Sequence, residues 1–130
     1  LIYSLLVLSS PAEGSGVLSA ARFAEAVLAR GHRIHRVFFL DNGAASGAAT
    51  AVYPQDEDSP IAAWAALAER HALDLVLCVT SALRRGMLDA GEAARHERDA
   101  VTVHPAFSIS GLGQLIDACA ASDRVITFGG

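Results

Sequence analysis

Leu73-Asp74-Leu75-Val76-Leu77-Cys78-Val79-Thr80-Ser81-Ala82-Leu83-Arg84-Arg85-Gly86 decides how this chain folds. From Leu75 to Val79 the residues are apolar without alternation, the pattern of a strand buried on both faces of a parallel sheet. Ser81 to Arg85 then reads as a short helix or turn, with Gly86 as its stop. A thiol is thereby placed where a buried strand leaves a sheet and a helix begins, which is where open α/β folds build their sites. The partial positive charge and unpaired N–H groups of a helix N-terminus favour thiolate over thiol. Cys78 therefore has two readings: a reactive cysteine, or a small buried hydrophobe.

Upstream, Ile2 to Leu8 predicts a buried first strand, and Ser9-Ser10-Pro11-Ala12-Glu13-Gly14-Ser15-Gly16 a turn-rich connection. Leu18, Ala21, Ala24, Val27 and Leu28 recur at helical spacing between Val17 and Arg30, and Gly31 ends that helix. His32 to Leu40 becomes apolar at Val37-Phe38-Phe39-Leu40, a second strand that ends inside the core. The stretch from Asp41 to Ser59 is rich in Gly, Ala and Ser. It is long for a loop in a compact domain, which marks it as functional or partner-facing. Ser59 is the expected N-cap and Pro60 the first residue of a helix that runs to about His71. Asp56, Glu57 and Asp58 complement that helix dipole, a reading preferred to a metal site.

Downstream, Asp89 to His96 predicts a helix and Val101 to Val103 a short strand. Ser110-Gly111-Leu112-Gly113 leads into a helix through Ala121, and Arg124 to Phe128 forms a last strand. Strands alternating with helices predict an α/β fold: a single-domain parallel sheet, flavodoxin-like, with helices on both faces. One domain spanning residues 1–130 suits a chain of 130 residues.

Composition narrows the function classes. The net charge is −4 and all ten basic residues are Arg. With no basic stripe, direct nucleic-acid binding is not expected. Without any Lys, Schiff-base catalysis and a P-loop lysine are excluded. Apolar residues make up 52% of the chain and mean hydropathy is +0.36, which predicts that other subunits cover part of the surface. Two cysteines far apart in sequence suit a reduced, intracellular protein. No apolar stretch reaches the length of a membrane span and no basic n-region precedes Leu1, so the expectation is a cytoplasmic protein. The first residue is Leu, so a few starting residues are expected to be missing.

Other candidate sites compete with plainer readings. Gly14-Ser15-Gly16 could cradle an anion, but it lacks the GxxxxGK[ST] pattern and does not complete GxGxxG, so a strand-to-helix turn is preferred. His32 and His35 point to opposite faces of a strand, while His71, His96 and His104 are isolated, so zinc is not expected. No GxSxG elbow supports a Ser-His-Asp triad. Cys119, within Leu115-Ile116-Asp117-Ala118-Cys119-Ala120-Ala121, reads as a packing residue. Arg84 and Arg85 read equally as stabilisers of a helix C-terminus and as docking residues for a partner.

Three segments together resemble the DsrE/TusD family of sulfur-relay proteins: Cys78 to Gly86, Phe107-Ser108-Ile109-Ser110-Gly111-Leu112-Gly113, and Asp123-Arg124-Val125-Ile126-Thr127-Phe128. The layout of the first strand, first helix and Val37-Phe38-Phe39 strand extends the resemblance over nearly the whole chain. It implies that Cys78 accepts sulfane sulfur as a persulfide and passes it to another protein. It implies a heterohexamer with two related subunits, and small sulfur-carrier proteins as donor and acceptor. One branch of such systems serves 2-thiouridine formation in tRNA, the other sulfur oxidation through the dissimilatory sulfite reductase pathway. Acidic net charge fits a protein that meets carriers rather than tRNA. The residue chemistry agrees, because thiolate attack on a sulfane sulfur needs neither metal nor cofactor. Two other readings stand beside this one: a non-catalytic assembly subunit whose Cys78 is inert, and a flavin- or nucleotide-binding module that uses Ser9 to Gly16. By analogy with the flavodoxin-like order, the loops after the first and third strands would meet, with Ser9 to Gly16 beside Cys78.

Overall fold

The computed structural model describes residues 1–129. The strands β1 (Ile2–Val7), β2 (Arg33–Phe39), β3 (Leu75–Cys78), β4 (Phe107–Ser110) and β5 (Arg124–Phe128) form one sheet in the order β4-β3-β2-β1-β5, every neighbouring pair parallel. Parallel neighbours need crossovers, and the helices α1 (Gly16–Ala29), α2 (Pro60–His71), α3 (Val79–Arg84), α4 (Ala90–Arg95) and α5 (Gly113–Ala121) lie within them. The α/β class, the parallel sheet and the helices on both faces are as the sequence predicts.

Strand alternation divides the interior into two unequal cores. Leu5, Val7, Val37, Phe39, Leu75 and Leu77 face one side, where Val17, Ala20, Ala21 and Ala24 of α1 and Ile61, Trp64 and Leu67 of α2 pack on them. Trp64 anchors this layer: its ring meets Phe39 edge-on at 5.6 Å and its Nε1 donates to the Val17 carbonyl at 3.1 Å. On the other side, Phe38, Val76 and Cys78 form a small cluster covered by Leu6, Leu40 and Leu115 of α5. The N-cap of α2 is Ser59, whose Oγ accepts from the Ala62 N–H at 3.2 Å, with Pro60 at the first helical position.

Three features differ from the sequence reading. The first half of the supposed loop after β2 is a 3₁₀ helix, Asp41–Gly47, whose Gly43, Ala44, Ser46 and Gly47 are buried. Its small residues permit a close approach: a Cβ on Gly43 would collide with the Val7 carbonyl oxygen, and one on Gly47 would meet Leu77. The fourth strand is Phe107–Ser110, whereas Val103 makes only an isolated antiparallel bridge with Ala48. Finally, β2 lies between β1 and β3. The connection after β1 is therefore not the neighbour of Cys78 in the sheet; the segment after β2 is.

Gly43→Ala is expected to lower stability by about 1–3 kcal/mol, since the methyl group meets backbone that cannot turn aside. Urea denaturation of the variant against wild type measures this.

Candidate functional site

Cys78 is both the last residue of β3 and the N-cap residue of α3, with extended backbone (φ −60°, ψ 126°). Its side chain makes no capping hydrogen bond. It shares a face with Val76 and Phe38, and its register partner across the sheet is Ser110 at the end of β4. In this chain alone Cys78 is only 4% exposed. A thiol tolerates such a place because S–H is a weak donor, whose burial without a partner costs far less than that of a hydroxyl.

The short helix after the thiol is fastened to the end of β2. The Asp41 N–H donates to Ser81 Oγ at 2.9 Å, and Ser81 is itself buried. Arg85 closes the same junction, Nη1 donating to the Ser81 carbonyl at 3.0 Å and Nη2 to Asn42 Oδ1 at 2.9 Å. Gly86, at φ +71°, turns the chain out of the helix, as the sequence predicts. The two arginines thus separate. Arg85 stabilises the C-terminal end of α3, while Arg84 is exposed and makes no hydrogen bond or ion pair among the described residues.

The segment after β1 has the geometry of a plain connection. Ser9 is buried against Gly16, where a Cβ would meet the Ser9 side chain, and Tyr53 Oη donates to the Pro11 carbonyl at 3.2 Å. Among the described residues, no group of three or more His, Cys, Asp or Glu side chains is placed to hold a metal ion.

The DsrE/DsrF-like family model matches residues 3–128. The chain belongs to the DsrE/DsrF-like family. It is 43% identical over 127 residues to the DsrE protein of Allochromatium vinosum, covering 98% of each chain. It is 44% identical over 125 residues to a sulfurtransferase TusD homolog of Pseudomonas aeruginosa (96% of this chain, 95% of that one). With the sulfurtransferase TusD of Serratia proteamaculans the identity is 40% over 124 residues (95% and 96%). The fold is shared with the crystal structure of the ychN protein of E. coli, at a TM-score of 0.76 and 16% identity over 98% of this chain and all of that one. In this DsrE/DsrF-like chain, no helix among the described residues is long and apolar enough to cross a membrane.

Cys119 is exposed, not packed. The helix α5 meets the sheet through Leu115 and Ala118, three apart, and this turns Ile116 and Cys119 outward. An ionic cluster that the sequence reading missed holds α5 in that orientation. Arg36 Nη1 donates to Asp117 Oδ2 at 2.8 Å and to the Gln114 carbonyl at 2.9 Å, while its Nε donates to Asp74 Oδ2 at 2.7 Å. His35 Nε2 lies 3.0 Å from the same Asp117 oxygen. The His35 hydrogen bond and then the Arg36 guanidinium hold the Asp117 carboxyl below its ordinary value. One signal was available in the sequence: an Arg at the position of a half-buried strand face calls for an acid from the covering helix.

Arg85→Ala is expected to cost about 1 kcal/mol through the loss of two charge-assisted bonds near the surface. Arg84→Ala is expected to stay within about 0.5 kcal/mol of wild type. Equilibrium denaturation of both variants distinguishes the two roles.

Proposed function

We propose that this chain is a single-domain sulfurtransferase subunit in which Cys78 carries sulfane sulfur between protein partners. The observation that carries the reading is the position of Cys78 at the C-terminal edge of the sheet, at the N-cap position of α3, in a chain 40–44% identical to relatives named sulfurtransferase TusD.

The chemistry is a pair of displacements. The Cys78 thiolate attacks the terminal sulfur of a donor persulfide. The donor S–S bond breaks, its electron pair departs with the donor thiolate, and a Cys78 persulfide forms. An acceptor thiolate then attacks that terminal sulfur, and Cys78 leaves as a thiolate. No net oxidation occurs in either step. The same two displacements serve tRNA thiolation and sulfur oxidation, the two branches that the family resemblance implies.

The partners proposed are small sulfur-carrier proteins, as donor and acceptor, and two related subunits in a heterohexamer, all in the cytoplasm. Support for further subunits comes from α5, where Leu112 is 53% and Ile116 70% exposed beside the exposed Cys119. The burial of Cys78 favours a second reading, an assembly subunit whose thiol is inert.

Intact-mass analysis after exposure to a persulfide donor separates the two. The expected result is a gain of one sulfur atom by wild type and Cys119→Ser and none by Cys78→Ser. No gain by any of the three, repeated with partner subunits present, would establish the inert reading.

A further inference from the structure

We propose that the first turn of α5, with the Ser110–Gly113 connection before it, is a gate over Cys78 that opens while the rest of the fold stays closed. The inference rests on the relay reading, since a thiol that is 4% exposed must be uncovered before a donor persulfide can reach it.

The cover over the Phe38–Val76–Cys78 cluster is thin and unequally fastened. Of the three partly buried apolar side chains packed on the Phe38–Val76–Cys78 cluster, Leu6 belongs to β1 and Leu40 directly follows β2, and only Leu115 comes from a helix. Ser110, in register with Cys78, continues directly into Gly111. The N-cap of α5 is Leu112, more than half exposed, which offers no side-chain hydrogen bond, so the Gln114 and Leu115 N–H groups are held only by the Gly111 and Leu112 carbonyls, at 3.1 and 3.0 Å. Gly111 and Gly113 flank it, and neither has an atom within 4 Å of the place a Cβ would occupy. Two glycines thus flank the start of α5, just after Ser110, the register partner of Cys78.

The far end of α5 is held by contrast. Ala118 is buried, Asp117 is bonded to Arg36 and His35, and beyond the helix Asp123 Oδ2 accepts from the Ile2 N–H at 2.7 Å. The bond that ties the first turn is Arg36 Nη1 to the Gln114 carbonyl, and the same nitrogen also donates to Asp117. When Gln114 lifts away, Nη1 keeps its carboxylate partner and no buried donor is left bare. The carbonyl it releases moves toward water. Opening therefore breaks this one shared tie to the sheet and the first-turn bonds from the Gln114, Leu115 and Ile116 N–H groups to the Gly111 and Leu112 carbonyls, groups that water then satisfies, and it uncovers one leucine.

The test is the rate at which iodoacetamide modifies Cys78 in a Cys119→Ser background, read beside global stability. The gate predicts slow labelling of the parent, acceleration by about tenfold in Leu115→Ala, and slowing by about threefold in Gly113→Ala, whose methyl group favours the helical first turn. It also predicts that Leu67→Ala, which weakens the opposite core, leaves labelling unchanged while global stability falls. Labelling that follows global stability and ignores Gly113→Ala would overturn the gate, as would labelling of Cys78 as fast as that of Cys119 in a Cys78→Ser chain. If labelling obeys the gate and the chain takes up no sulfane sulfur, the gate stands and the relay reading fails.

Discussion

Burial of β3 on both faces and along both edges is the constraint on which the site depends. The strand lies between β2 and β4, Leu75 and Leu77 face the α1 and α2 core, and Val76 and Cys78 face α5. Any nucleophile placed at the end of such a strand must survive without reliable hydrogen-bond partners. Serine there would bury a hydroxyl at a cost of about 1–3 kcal/mol when unpaired, whereas a thiol packs as a small apolar group. The same position, one residue later, gives onto a helix N-terminus, so one side chain is both core and edge.

That double role explains how the surrounding residues divide their work. The segment after β2 approaches Val7 through Gly43 and hands its Asp41 N–H to Ser81, while Arg85 reaches back to Asn42. These contacts fix α3 against the sheet from one side. From the other, Arg36 and Asp117 hold α5 over the smaller core. The thiol lies between a firmly docked helix that follows it and a helix whose first turn is weakly tied. In the proposed relay, that enclosure also shields the outer sulfur of a persulfide from adventitious thiols until a partner is in place.

Much of this was legible in the sequence because its elements carry strong local signals. The run Leu75–Cys78 declares a doubly buried strand, and Ser59-Pro60 a helix start. The misreadings share a cause, which is that tertiary contact supplied information the local pattern lacked. Phe107–Ser110 is short, and its Ser108 and Ser110 lie on the thinly covered face, so it lacks the apolar run of a central strand. Val101-Thr102-Val103 alternates like a strand but only bridges to Ala48. The Gly, Ala and Ser residues of Asp41–Gly47 look like a flexible loop, yet their small size is what lets that segment pack. In α5, Leu115 with Ala118 and Ile116 with Cys119 form two apolar stripes, and periodicity alone does not say which one meets the sheet. Strand order is likewise a property of the whole topology, and it moved the β1 connection away from Cys78.

The central claim is that sulfur goes to the buried thiol rather than the exposed one. Unmodified wild-type protein contains both in one molecule, so peptide-level mass mapping after a short exposure to limiting persulfide donor compares them directly. The account predicts the added sulfur on the peptide containing Cys78, with the peptide containing Cys119 unmodified. Sulfur found on Cys119, with Cys78 left as a free thiol, would contradict it.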